Sequence, residues 1–473
     1  MNINEKEISE IVRGVLSEMG AAKQAPRKQL GVFDTMEEAI AAVDKAYTLF
    51  RNYNKEQREK IISEIRKLTH AEAEIMAKMA VEETKMGNVY HKTLKHHLVA
   101  DKTPGTEDLE CKALSGDHGL TLVEQGPYGI IGAITPSTNP TCTVICNSIG
   151  MLAAGNGVIF NTHPHAKVCS CHAVDLVNRA VLAAGGPENI VVTVKNPTME
   201  TSNMMVNSPL VRMLVATGGP GVVKMLLSSG KKAIGAGAGN PPVIVDETAD
   251  IVKAGKDIID GCTFDNNLPC IAEKECFAIS SIADQLIAEM QKNGAYLINA
   301  QQVKALEDVV LVTVPPKKPG DKPKRVINKN WVGRDARKIL AEIGVNVGSD
   351  IRCIICETEF EQAFVQTELM MPILPIVRCD TFEQALDMAV KAEHGCRHTA
   401  HLHSKNVDRM TAYAKAICTT IFVKNAPSYA GIGFGSEGHT TFTIAGPTGE
   451  GITSARSYTR QRRCVLVDSL SII

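Results

Sequence analysis

Apolar positions change spacing repeatedly along the chain. Between residues 1 and 19, Ile8, Ile11, Val12, Val15, Leu16 and Met19 fall at helical spacing, with Glu5, Glu7, Glu10 and Arg13 elsewhere around the wheel. That pattern predicts a short amphipathic helix. The following GAAKQAPRKQLG is small, basic and Pro-containing, so residues 20–34 read as a linker. From Met36 to about Lys85, stretches such as EEAIAAVDKAYTLF and REKIISEIRKL predict surface helices with charged faces. Short β-branched runs then take over: YGIIGAIT, GVIFN, NIVVTV and VRMLVAT. They are separated by the helix-like CTVICNSIGMLAAGN and VCSCHAVDLVNRAVLAAG, by a helix near Glu200 to Val206, and followed by GGPGVVKMLLSSG. Alternation of this kind implies parallel βαβ units in a doubly wound sheet. Residues 35–240 are therefore expected to form a Rossmann-type, nucleotide-binding lobe. After the Pro241-Pro242 break, VIVD, ADIVKAGKDIIDG, CFAIS and ADQLIAEMQKNGA continue the alternation to about Gly431, which predicts a second α/β lobe over 241–431. Within the remaining 432–473, RSYTRQRRCVLVDSL alternates like a strand and is expected to pair with another subunit.

Charge narrows the partners. Lys plus Arg number 51 against 52 Asp plus Glu, a net charge of −1, so no general field draws the chain to nucleic acid or an anionic membrane. No run approaches the roughly 20 apolar residues of a membrane span, and MNINEKEISEIV is too acidic for a secretory signal, which predicts a cytoplasmic protein. The 14 Cys are scattered through apparently buried segments, as reduced thiols are, rather than framing loops like a disulfide scaffold. Cys353-x-x-Cys356 and the group Cys396, His398, His401 and His403 suggest a metal at first sight. The strand-like IRCIICET turns Cys353 and Cys356 to opposite faces, and no second knuckle has a zinc-like spacing, so no metal is expected. The basic run PPKKPGDKPKR (315–325) is either solvated surface or a holder of coenzyme phosphates.

Candidate chemistry centres on FDNNLPCIAEKE, which places Cys270 after a Pro among polar turn residues. One thiol among 14 is more often a small buried hydrophobe than a nucleophile, so its neighbours must decide. TPSTNPT at 135–141, ATGGPG at 216–221, NNLPCIAEK at 266–274 and TELMMPILPIV at 367–377 together resemble the aldehyde dehydrogenase superfamily, in order and spacing, from about residue 35 to the end. GAGAGNPPVIVDETAD, DNNLPCIAEK and FVKNAPSYAGIG are similar to the coenzyme A-acylating members of bacterial microcompartments. The resemblance implies an aldehyde dehydrogenase-like α/β fold: a cofactor lobe, a catalytic lobe and a β-strand oligomerisation element from strands near 119–126 and 440–472, in a homo-oligomer, dimer or tetramer. It also implies NAD and coenzyme A as cofactor and co-substrate, and a short-chain aldehyde, propionaldehyde or acetaldehyde, as substrate. The helix at 1–19 resembles encapsulation peptides, which implies a microcompartment shell protein as partner and the microcompartment lumen as location. A helix folded back on its own enzyme is the alternative.

Residue by residue, the resemblance makes Cys270 the nucleophile and Asn139 the oxyanion donor, with the Cys270 backbone N–H as second donor. A thiolate attacking an aldehyde leaves a charged oxygen that needs such fixed donors. Thr217, Gly218 and Gly219 follow an apolar strand and open a helix, where N–H groups and the helix dipole can meet a diphosphate. This is not the common GxGxxG fingerprint. Glu368, in a predicted helix, matches the glutamate that binds the nicotinamide ribose. Asn161, Thr162, His163 and Pro164 follow the strand GVIF where the family contacts the adenosine ribose; many hydrolytic relatives carry a lysine there and this chain does not. The segment AIGAGAGN (233–240), just before PPVIVD, has no carboxylate, whereas the resemblance implies that hydrolytic members carry a water-activating glutamate in that stretch. A thiol with pKa near ~8.5 supplies thiolate at neutral pH without a base, so coenzyme A is expected to take the acyl group where water cannot. A hydrolytic dehydrogenase and a non-redox cysteine acyltransferase are the competing readings, and the second would need no dinucleotide lobe.

Overall fold

The computed structural model describes residues 28–315 and 323–472. The amphipathic stretch 1–19 and most of the basic run 315–325 lie outside the described residues. Two parallel sheets organise the rest. The first has six strands in the order Val32–Phe33, Val191–Val194, Gly157–Asn161, Ile130–Ile134, Val211–Thr217 and Lys232–Ala236, every pair parallel. Helices cover both faces, so IIGAI and GVIFN are buried at every position, which is why they read as unbroken apolar runs instead of alternating. Strand order reverses between Ile130–Ile134 and Val211–Thr217, and in open sheets the crevice for ligands lies beyond the strand ends at such a switch point. Asn139 and Thr217 leave the sheet at those two ends.

The second sheet has seven strands, ordered Ala295–Ile298, Cys353–Glu357, Ile373–Cys379, Glu275–Ile279, Pro242–Val245, Thr399–His403 and Ile421–Lys424, again all parallel. Glu275–Ile279 is its central strand, and Cys270 sits five residues ahead of it. A separate antiparallel sheet joins Lys112–Gly116, Gly119–Pro127 and Thr459–Val467, so the chain's end pairs within its own chain. Leu114, Val465, Leu466 and Val467 on this arm are exposed. Leu311–Val314 and Lys324–Ile327 pair as two antiparallel strands.

Two local expectations need correction. The spacing predicts no helix between Lys85 and the strand of YGIIGAIT, yet one runs over Val89–Lys102. Its buried face carries Lys92, Lys95 and His96 beside Leu98 and Val99, so a stripe counted by hydrophobicity is invisible. Glu368 is not helical; it lies in an irregular segment between Cys353–Glu357 and Ile373–Cys379.

Candidate active site

The loop that delivers Cys270 begins where the helix Ile251–Thr263 stops. Asp265, Asn266 and Asn267 then take three consecutive left-handed conformations, φ 49°, 55° and 65°. L-residues pay roughly 1–2 kcal/mol each in that region, and Asp and Asn tolerate it best, which accounts for DNN at this point. Each side chain is tied down. Asn267 Nδ2 donates to Cys262 O at 2.8 Å and Glu273 O at 3.0 Å; Asn266 Nδ2 donates to Gly333 O at 3.0 Å. The buried Lys274 Nζ donates to Asn267 O at 2.9 Å and Oδ1 at 2.6 Å. These bonds fold the loop back so that Cys270, half-buried, packs against the apolar cluster of Leu98, Ile271, Ile421, Val423, Ile432 and Ile444. Burial pushes the Cys270 thiol up to about 12, the Glu368 charge adds to this, and Lys274 and Lys95 pull the other way. All three charged groups therefore act on the sulfur.

Asp265 links this loop to Asn139. Lys92 Nζ donates to Asp265 Oδ2 at 2.9 Å and to Thr138 O at 3.1 Å. Lys95 Nζ donates to Asp265 Oδ2 and to Asn139 Oδ1. The other Asp265 oxygen accepts the Asn88 N–H at 3.0 Å. Burial pushes the Asp265 carboxyl up, but the two lysines outweigh it and hold it below the usual range. Asn139 occupies the N-cap of the helix Pro140–Ala153 without capping it; its amide oxygen serves Lys95 instead.

On the dinucleotide side, Gly218 and Gly219 bridge Val211–Thr217 and the helix Pro220–Leu227, with no heavy atom within 4 Å of where a Cβ would stand. Thr217 Oγ1 lies 2.8 Å from Thr443 Oγ1, which fixes the strand end. Asn161 is buried and fully engaged: Nδ2 reaches Ser202 Oγ at 2.6 Å and Oδ1 accepts from Thr201 Oγ1 at 2.6 Å. His163 Nδ1 accepts the His165 N–H at 3.1 Å, and Pro164 opens the short 3-10 turn after it. Burial raises the Glu368 carboxyl above the usual range, against the opposing pull of Lys274 and of the Gly239 N–H.

Lys92, Lys95, Asp265, Lys274 and His398 are additions that sequence reasoning did not single out for catalysis. Lys92 and Lys95, three apart on one helical face, were the available signal. His398 was read only with the metal candidates; it stands behind the cysteine loop, where a Cβ on Gly239 would lie 2.8 Å from its ring and 3.1 Å from Cys270 O. Burial pulls this imidazole down to about 4, so it is neutral.

A model of the aldehyde dehydrogenase family matches residues 27–435. The chain is 45% identical over 474 residues to acetaldehyde dehydrogenase (acetylating) EutE of Escherichia coli strain K12, covering 100% of both. A solved propionaldehyde dehydrogenase from the Clostridium phytofermentans fucose utilisation bacterial microcompartment is 58% identical, with a TM-score of 0.90 over 94% of this chain and 100% of that one. The Rhodopseudomonas palustris propionaldehyde dehydrogenase with bound propionyl-CoA is 53% identical, with a TM-score of 0.89 over 94% of this chain and 96% of that one.

Proposed function

The chain belongs to the aldehyde dehydrogenase family, and we infer that it is a coenzyme A-acylating member, oxidising a short-chain aldehyde with a nicotinamide dinucleotide and coenzyme A to acyl-CoA. The observation that carries this reading is the pairing of Cys270 with a glycine-rich segment, 235–240, that touches its loop and holds no carboxylate.

In this reading Cys270 Sγ attacks the aldehyde carbon and forms a thiohemiacetal. Asn139 Nδ2 and the Cys270 N–H donate to its oxygen. A nicotinamide dinucleotide held at this lobe would supply the hydride acceptor, and loss of hydride from the thiohemiacetal leaves an acyl thioester on Cys270. The open turn at Thr217, Gly218 and Gly219 fits a diphosphate, since nothing fills the space a ligand would need. Glu368 would hold the nicotinamide ribose, and the segment of Asn161, His163 and Pro164 would meet the adenosine side, with the Asn161 amide already engaged by Ser202 and Thr201. Water finds no carboxylate in 233–240 to activate it, so the thiol of coenzyme A resolves the thioester and the kinetics are ping-pong. The test is NADH formation from propionaldehyde or acetaldehyde with NAD and coenzyme A. Cys270→Ala is expected to lower it to background while the protein folds normally; undiminished activity would overturn the reading.

We further propose a cofactor lobe over 35–240, a catalytic lobe over 241–431, and a return segment with oligomerisation strands over 432–473. The exposed apolar residues of the antiparallel arm support a homo-oligomer, dimer or tetramer. No described helix is long and apolar enough to cross a membrane. The stretch 1–19 is proposed to dock on a microcompartment shell protein through its apolar face, which would place the enzyme in the lumen. Deleting residues 1–20 is expected to leave activity intact and abolish co-purification with shells; retained co-purification would refute it.

A further inference from the structure

Lys95 is an unusual residue to bury. Its side chain is 1% exposed and that of Asp265 is 0% exposed, and an ammonium withdrawn from water costs several kcal/mol unless it is paired and hydrogen-bonded. Asp265 supplies the pairing. The second acceptor is Asn139 Oδ1, a side chain with no capping bond of its own.

The chemistry of the donor fixes the amide. An ammonium can only donate, so the Asn139 atom facing Lys95 is the oxygen and its NH2 is turned away from the lysine. A cation on the carbonyl end also polarises the amide and strengthens its N–H donors, as linked hydrogen bonds strengthen one another at low dielectric. Lys92 closes the arrangement by tying Thr138 O, the residue before Asn139, to the same carboxylate. Two lysines against one aspartate form a buried cluster in which cationic groups outnumber the anionic one, beside the place where an anion would develop.

We propose that Lys95 is a positioning residue for the reaction, holding Asn139 with its NH2 toward the reacting carbon and polarising it, while Asp265 and Lys92 hold Lys95. This rests on the reading of Asn139 as the oxyanion donor. Both can be separated by a cycle of Lys95→Met, Asn139→Ala and the double variant, each assayed for kcat, for KM of the aldehyde and for alkylation of Cys270 by iodoacetamide. Each single substitution is expected to lower kcat about 100-fold, the typical effect of losing one oxyanion donor, with KM changed by no more than about threefold. The double variant should be no slower than Asn139→Ala, because the two groups act as one unit. Alkylation develops no oxyanion, so its rate should fall far less than kcat, only as far as removing the Lys95 charge lowers the Cys270 thiolate fraction. If Asn139→Ala keeps its kcat, the underlying reading fails. If Asn139→Ala loses activity but Lys95→Met stays within about threefold of wild type, the Lys95 proposal alone fails. Multiplying effects, or alkylation falling in step with kcat, would assign Lys95 a purely structural role and overturn the proposal. Should Lys95→Met not fold, Lys95→Gln, which keeps an N–H donor without the charge, takes its place: about a tenfold loss is expected, and no loss would overturn it.

Discussion

Two glycine-rich segments leave adjacent parallel strands of the first sheet on the same side. The turn at Gly218, Gly219 and Gly221 follows Val211–Thr217, and Gly237 and Gly239 follow Lys232–Ala236. Around the first three no heavy atom comes within 4 Å of an added Cβ. At Gly239 that Cβ would press on the His398 ring at 2.8 Å and on Cys270 O at 3.1 Å, and at Gly235 on Val223 Cγ1 at 2.6 Å. One segment keeps room for a ligand, and the other lets backbone approach the cysteine loop. Composition alone does not separate these uses; what the missing side chain would have met does.

Filling the packed segment should have the larger effect. Gly239→Ala forces His398 or the carbonyl of Cys270 to move and shifts an N–H whose dipole acts on Glu368. We expect a loss of about 100-fold in kcat/KM and of about 1–3 kcal/mol in stability, the usual cost of overpacking, read by NADH formation and urea denaturation. Wild-type behaviour would mean that the loops are not in contact in solution.

The same packing governs the proton on Cys270. Burial first, then the Glu368 charge, hold its thiol up at about 12. A thiol below its pKa gains thiolate tenfold for each pH unit, so alkylation of the cofactor-free enzyme by iodoacetamide should rise about tenfold per unit from about pH 7 to pH 9 without levelling. A plateau below about pH 8 would show that a neighbouring cation outweighs the burial. The smallest effect belongs to the open turn. Gly219→Ala should leave stability within about 0.5 kcal/mol and raise KM for the dinucleotide about tenfold, or about 1.4 kcal/mol of binding. A large loss of stability instead would show that the turn is packed after all.

Much of this was legible in the chain because its physics is local. Buried parallel strands write themselves as mainly apolar runs, so VRMLVAT and GVIFN were readable, and the polar turn residues around Cys270 marked its loop. What stayed hidden depends on contacts between distant segments. The helix Val89–Lys102 was missed because charge lies on its buried face, and Lys92 and Lys95 make sense only once Asp265, over 160 residues away, folds against them. Glu368 was expected in a helix, whereas it lies in an irregular segment where distant groups, Lys274 and the Gly239 N–H, act on its carboxyl. Asn161 was chosen for a cofactor role, yet its amide is engaged by Ser202 and Thr201, which no local pattern reveals.

The missing carboxylate in 233–240 makes the fate of the thioester the point on which the account turns. The direct measurement mixes the enzyme rapidly with NAD and propionaldehyde, first without coenzyme A. NADH should appear in a burst equal to the concentration of Cys270 and then stall, because the acyl-enzyme waits for a thiol, and adding coenzyme A should restore turnover. Sustained NADH formation without coenzyme A would contradict the account and point to Glu368, the carboxylate whose charge already reaches the sulfur, as the base that activates water.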